Sequence, residues 1–460
     1  MLNRRQMIAG AAALPLSTPA LSLFAQSATP AATPAAIPPP VTSDVVPAWQ
    51  GAQDALRQLG EAASQAFWDF DVESLLATAD PLMTVALQGG LDLEIFLEGY
   101  TQNQIQFAFH EAGVWFFGQY SPENIGGIFS QSGPIYWEVT PEESQSADYP
   151  TGRWTGIVGP GVVNLEIELE FSGEAESLEV NLSIPGQMLE DHPMSDVVFA
   201  AEMPIGDVID TRVMPLGASE NNFDFYAEQY EWGNHSLMLQ IVFSGGDKLA
   251  GLNLIPQGTL PEVEAPEPIV ARLPFDGAWM VYWGGDTEFR NYHAVTAPQR
   301  YAADLLIWRD GSTAVAPGTE NQHYHAFGQP YLAPVDGTVA FVLADQDDIP
   351  PQQPGIPGVH PAGNHIVIEA ESGYVVLAHC RYGSIQVQEG DSVAAGEVVA
   401  AIGNSGNSSE AHVHIHAQTH LDMFDPQVEG IPIVFENALE NGEPIDQLSL
   451  KHGTIVEHRS

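Results

Sequence analysis

Gly403-Asn404-Ser405-Gly406-Asn407-Ser408-Ser409-Glu410-Ala411-His412-Val413-His414-Ile415-His416 runs from small, turn-forming residues into strict alternation. Val413 and Ile415 are β-branched and one residue apart, which predicts a short strand. Side chains of a strand alternate between its faces. His412, His414 and His416 therefore share one face, and Val413 and Ile415 pack on the other. Two readings of that face stay open. Neutral imidazole is the commonest metal ligand, and two on one face can reach a common point, one binding while its neighbour moves protons. Alternatively, the histidines form a polar strand edge that only makes hydrogen bonds.

The 460-residue chain is too long for one ordinary domain, and two or three are expected. At 44% hydrophobic residues it can bury sizeable cores. Thirteen basic residues against 60 acidic ones give a net charge of −47. Such a surface repels nucleic acid and anionic lipid and excludes both as partners. Cys380 is the single cysteine, so there is no internal disulfide. Stability must come from packing, with metal a further source.

The N-terminus reads as an export signal over residues 1–27. Arg4-Arg5 precedes an apolar run, Met7 to Ala25, that Pro15 and Pro19 interrupt. The run is too short and broken for a membrane span, and small residues near Ala25 to Ala28 offer cleavage. The paired arginines resemble a twin-arginine signal, with ordinary secretion as the alternative. The mature protein is thus expected outside the cell or in the envelope, with no membrane span.

Residues 28–47 form an Ala/Thr/Pro linker. Residues 48–145 read as a helical α+β region: Leu56, Leu59, Ala63 and Phe67 make one helical stripe, and Asp69 and Asp71 are candidate caps for a helix through Leu75-Leu76-Ala77. Residues 146–260 turn to period two. Leu165, Ile167, Leu169 and Phe171 alternate with Glu166, Glu168 and Glu170, and Leu178, Val180, Leu182 and Ile184 answer them across a turn. That is a hairpin with a wet, glutamate-bearing face. Phe243-Ser244-Gly245 leading to Leu252-Asn253-Leu254-Ile255-Pro256 repeats the pattern weakly. Residues 261–274, acidic and proline-rich, mark a second linker.

From Phe275 to Ser460, short apolar runs alternate with turns such as Pro334-Val335-Asp336-Gly337 and Glu389-Gly390-Asp391-Ser392, predicting an all-β domain, barrel-like or sandwich-like. The fold class is therefore multidomain α+β: helical and antiparallel β regions, then an all-β domain that holds the chemistry. Asp304 sits inside the apolar run Ala302-Ala303-Asp304-Leu305-Leu306-Ile307, where an unpaired charge is costly and a partner or metal is required.

The order Asp304, Ala333-Pro334-Val335-Asp336-Gly337-Thr338-Val339, Gly363-Asn364, Leu377-Ala378-His379, Gly390-Asp391-Ser392-Val393, Gly403-Asn404-Ser405-Gly406, His412-Val413-His414 resembles the LytM/lysostaphin-type zinc metallopeptidases over residues 275–445. The resemblance implies one Zn2+ per chain, held by His414 and Asp304. It also implies two catalytic histidines, His412 and His379, and a peptide substrate, foremost the cross-links of peptidoglycan. The sequence departs from the family at Arg300, which stands where the first ligand histidine is usual and cannot bind zinc. His293 is the replacement, in a branch with a longer spacing to Asp304. His416 stands where many members have glutamate and reads as a residue that orients a ligand. The ligand set becomes His293, Asp304 and His414, an open catalytic arrangement.

Other histidines carry less. His323-Tyr324-His325 repeats the spacing within a polar loop and reads as a non-ligand pair. His365 opens a strand and reads as structural or substrate-facing. Cys380 points away from His379 on an adjacent strand position, which removes a thiol nucleophile. Gly390-Asp391-Ser392-Val393-Ala394-Ala395-Gly396 resembles a biotinyl or lipoyl carrier hairpin, but neither Lys248 nor Lys451 lies at its turn. Two functions remain: a secreted zinc endopeptidase, or an inactive relative that binds cell wall or activates another hydrolase.

Overall fold

The computed structural model describes residues 40–459, less 70, 81–106, 112–113, 130–135, 146–148, 159–164, 175–177, 186–188, 194, 200–204, 218–222, 233–234, 246, 258–262 and 353–358. The expected export signal and residues 28–39 of the expected first linker lie outside the described residues; residues 40–47 are described, and Ser43–Val45 forms a 3-10 turn. Packing divides the chain into two compact units, one of residues 1–54, 214–223 and 260–460, the other of 55–213 and 224–259.

In the second unit, the helix α1 (Val46–Trp68) contributes its residues from 55 onward. Leu56, Ala63 and Phe67 are buried as the stripe requires, and Gly60 lies under the Tyr226 ring, where a Cβ would sit 2.0 Å from a ring carbon. The helix α2 (Val72–Thr78) is capped by Asp71, whose carboxylate accepts from Ser74 N at 3.0 Å. Nine antiparallel strands from Phe107–Glu111 to Ser195–Phe199 make one sheet in near-sequential order, the last strand pairing with the first. This sheet crosses residue 146, so the change of period there is not a structural boundary. The aromatic run Trp115-Phe116-Phe117 hides the alternation of the earlier strands. The expected hairpin is present: Leu169 pairs with Leu182 in register, their side chains are buried, and Glu166 and Glu170 face solvent, with Arg153 3.4 Å from Glu170. The weaker echo is also a hairpin, in a separate four-stranded sheet, where His235–Ser244 pairs with Lys248–Gln257.

The first unit is built on an open, mainly antiparallel sheet. Its strands are β1 (Ala278–Trp283), β2 (Ala303–Leu306), β3 (Gly337–Leu343), β4 (Asn364–Ala370), β5 (Gly373–Cys380), β6 (Ser392–Val393), β7 (Val413–Gln418), β8 (Gly430–Ile431), β9 (Ala438–Glu440), β10 (Glu443–Ile445) and β11 (Ile455–His458). The spatial order is β6-β3-β4-β5-β7-β2-β1-β11-β9-β10, with β8 beside β7. The sheet does not close into a barrel. The strands Pro330–Leu332 and Val398–Ala401 pair separately, and their Tyr331, Leu332, Val399 and Ala400 are buried. Tyr331 and Val399 join Ile366, Ile368, Leu377, Val413 and Ile415 in one apolar core, a sandwich-like arrangement.

Two segments enter this unit from outside the expected limits. Ile269–Ala271 pairs in parallel with Ile433–Phe435, and Ile269, Ala271, Leu273 and Phe275 are buried. The second linker therefore ends near residue 268; flanking prolines mask a four-membered alternation that belongs to the core. From the N-terminal side, Val41 O accepts from Ala278 N at 2.7 Å, and Trp49 is fully buried. Trp49 donates to Gly453 O at 2.9 Å and meets Trp308 edge-on at 5.3 Å. Trp308 in turn donates to Pro215 O at 2.7 Å. The all-β domain expected to begin at residue 275 is thus completed by the adjoining residues 269–274 and by two distant stretches, at residues 41–49 and at Pro215.

Candidate metal centre

The centre lies on the sheet. In β7, Val413, Ile415 and Ala417 belong to the apolar core, while His414, His416 and Gln418 take the opposite face. β2 lies on one side, with Asp304 paired directly to His414, and β5 on the other, with Ala378 paired to His414. Ala303 and Leu305 enter the core, so Asp304 must project to the histidine face. The result is a 2.8 Å contact between Asp304 Oδ1 and His414 Nδ1.

His293 arrives from a short 3-10 turn, Tyr292–Val295, whose cap is Asn291. The Asn291 oxygen accepts from His293 N at 3.2 Å and lies 2.9 Å from His293 Nδ1. Its amide nitrogen donates to Gly285 O and Ala302 O, each at 3.0 Å. Two carbonyls on the nitrogen leave the oxygen facing His293, so Nδ1 carries the proton and Nε2 the lone pair. That Nε2 lies 3.6 Å from Asp304 Oδ2.

The other two histidines are held the same way. His379 Nδ1 donates to Ser405 O at 2.7 Å, and His412 Nδ1 to Glu410 O at 2.7 Å. Both expose Nε2 lone pairs, with His412 Nε2 3.6 Å from Asp304 Oδ1 and the His379 and His412 rings 4.7 Å apart. The small residues of the 403–406 loop make this possible. Gly363, at φ +58°, would place a Cβ 2.3 Å from Ser405 O, and Gly406, at φ +83°, one 2.3 Å from Gly363 N. The Ser405 hydroxyl accepts from Asn364 N and donates to Cys380 O, each at 2.9 Å. His379 itself has φ +57°, a left-handed backbone uncommon for a side chain of its size and a feature of working sites.

Ligand atoms of His293, Asp304 and His414 lie within 4.8 Å of one another, as do those of His379, His412 and His414. All five side chains are buried. Burial holds His293 and His379 well below the ordinary imidazole range, lowers His412, and brings His414 down to about 4. It raises Asp304 to about 6. Neutral histidines offer lone pairs and no charge to balance the carboxylate. The two clusters meet at His414, and the N,N,O donors of His293, Asp304 and His414 suit a divalent metal such as zinc. The residues fit the ion.

Arg300 does not belong to either cluster. It lines a separate cavity of about 260 Å³ with Tyr301, Glu264 and Glu429. His323 and His325 also stand apart from both clusters: His323 Nδ1 accepts from Glu320 N in a capping box. His365 is buried, donates from Nδ1 to Gly363 O at 2.8 Å, and stacks on His360 at 4.6 Å. The Cys380 thiol, buried and 3.7 Å from Leu377 O, has its pKa raised by burial. Sequence reasoning missed three groups that hold these histidines: Asn291 and, through their carbonyls, Ser405 and Glu410. Only Asn291 had a local signal, a capping residue two positions before a histidine.

Residues 322–426 match the profile of peptidase family M23. The first unit thus contains a segment that matches a peptidase family, in keeping with the LytM/lysostaphin-type motifs of the sequence. His379, His412 and His414 fall inside the matched segment; His293 and Asp304 lie upstream of it. A search of the curated proteins found no match. Among solved structures, the chain is similar to a mutant of the catalytic domain of the prophage-encoded M23 protein EnpA from Enterococcus faecalis. Identity there is 19% and the TM-score 0.19, covering 36% of this chain and 92% of that one. It is similar also to a putative peptidase M23 from Pseudomonas aeruginosa, at 13% identity and TM-score 0.21, covering 47% and 87%. A zinc containing peptidase from Vibrio cholerae follows at 11% and 0.18, covering 82% and 94%. The likeness to the family rests on the matched segment.

Proposed function

We propose that this chain is an exported zinc endopeptidase that cleaves peptide cross-links of peptidoglycan. The observation that carries the catalytic reading is a pair of buried clusters, His293, Asp304 and His414 beside His379, His412 and His414, that meet at His414. His293, Asp304 and His414 would hold the zinc, whose contribution is Lewis acidity toward a peptide carbonyl and an attacking water. His412 and His379 form the remaining pair. Each has Nδ1–H committed to a backbone carbonyl and a free Nε2, so each can take a proton at Nε2. Once protonated, the same atom can donate to the carbonyl oxygen or to the leaving amine. Because burial keeps both neutral near pH 7, they start as bases. No described helix is long and apolar enough to cross a membrane.

Arg300 in the place of a ligand motivated the inactive reading. The approach of His293 to Asp304 supports the enzyme over that reading, because it offers a third donor. The test is zinc content after dialysis, measured beside soluble peptide release from peptidoglycan. His412→Ala and His379→Ala should keep zinc and lose about a hundredfold or more in turnover. His293→Ala, Asp304→Ala and His414→Ala should lose the metal. Wild-type protein that binds zinc and releases no peptide would refute the enzyme and favour a wall-binding module.

A further inference from the structure

Asp304 and His414 Nδ1 face each other at 2.8 Å, and which nitrogen of His414 carries its proton decides whether that contact can open onto a metal. The opposite side of the ring answers this. His414 Nε2 lies 3.0 Å from His416 Nδ1, and His416 Nε2 lies 3.1 Å from Gln418 Oε1. The Gln418 amide nitrogen donates to His420 O at 2.8 Å and Leu421 O at 3.1 Å. Carbonyls only accept, so the amide cannot be reversed, and its oxygen must face His416. His416 Nε2 then carries the proton, its Nδ1 is a lone pair, and His414 must donate from Nε2. The three residues stand at alternate positions of β7, on one face and almost fully buried, where water cannot replace a missing partner.

We propose that His416 and Gln418 are positioning residues: they form a hydrogen-bond relay that commits His414 to one tautomer and keeps its Nδ1 lone pair turned toward Asp304. This rests on the proposed zinc site for its consequence, but not for its geometry. The carbonyls of the 420–421 turn act as the reference, and the polarity passes inward through Gln418 and His416. A turn at the end of β7 thereby sets the electronic state of a side chain deep in the sheet.

The experiment uses the full chain with ¹⁵N-labelled histidine. Long-range ¹H–¹⁵N spectra report the tautomer of each ring, and zinc affinity is measured by competition with a chromophoric chelator. The expected result is a proton on His416 Nε2 with or without zinc, and on His414 Nε2 in the zinc form. Gln418→Met keeps the shape and removes the acceptor; zinc affinity should fall about tenfold, and His416→Phe should lower it about a hundredfold. A proton on His416 Nδ1 in the wild type would overturn the relay. So would Gln418→Met with wild-type affinity and an unchanged His414 spectrum. If the wild type takes up no zinc, the proposed function falls, and the His416 tautomer of the metal-free protein still decides the relay.

Discussion

Asn291→Ala isolates the other holding residue. Asn291 is fully buried and makes four hydrogen bonds: two received at its oxygen from His293, and two given to Gly285 O and Ala302 O. At a net ~1 kcal/mol each, their loss should destabilise the domain by about 4 kcal/mol, since no solvent reaches the orphaned partners. About 1 kcal/mol of this is the lost helix cap. The effect on the site is separate. With Nδ1 unanchored, the His293 ring can rotate and take either tautomer, and zinc affinity should drop by roughly 10–100-fold. Asn291→Asp keeps an acceptor for His293 but sets a buried carboxylate oxygen against the Gly285 and Ala302 carbonyls, so it should destabilise at least as much as Ala and lose less zinc affinity. Urea unfolding of metal-free protein gives the first quantity, and zinc competition titration the second. Wild-type zinc affinity in folded Asn291→Ala would show that His293 is oriented by something else, or is not a ligand.

Trp49→Ala should destabilise the first unit by about 3–5 kcal/mol in urea, and a fragment beginning near Ala265 should fail to fold alone, because Trp49 is fully buried against Trp308 and Gly453; a soluble, native-like fragment would contradict this. Glu410 is buried, accepts from Thr313 Oγ1 at 3.1 Å, and is raised from 4.5 to about 7 by burial. A raised carboxyl favours folding below its unfolded pKa and loses that contribution as pH climbs to about 7, here by ~3 kcal/mol. Glu410→Gln should therefore flatten the stability profile between pH 4.5 and about 7, and an unchanged profile would refute the assignment. With a net charge of −47, the melting temperature should rise steadily with sodium chloride, and a salt-independent melt would show that self-repulsion is unimportant. Gly363→Ala should displace Ser405, lower peptidase turnover and leave zinc bound; full activity would refute the need for close approach.

What could be read from residues in order was what repeats locally. Alternation placed His414 on one face and Val413 and Ile415 on the other, and a carboxylate within the apolar run at 304 announced a buried partner. The same logic failed for Ile269 to Phe275, where prolines on either side outweighed a short alternation. It failed too for residues 41–54 and 214–216, whose apolar groups look like those of any helix or loop until their partners are known; Pro215 meets Trp308 93 positions on, and Trp49 meets Gly453 404 positions on. The holding groups were hidden for a different reason. Ser405 and Glu410 act through carbonyl oxygens, which every residue possesses, and Gln418 acts through a proton two rings away. Side-chain identity cannot reveal a role that belongs to the backbone.

Asp304 and His414 are directly opposed partners on neighbouring antiparallel strands. A slip of β2 by one position would bring Ala303 or Leu305 to the histidine and drive the carboxylate into the apolar core. The mispaired sheet would lose a ligand and bury an uncompensated charge at once. On the proposed zinc site, affinity for the ion would therefore also be a proofreading device: a zinc-loaded molecule would be one whose central strands have been threaded correctly, and misfolded copies would be distinguishable by their failure to take up the ion.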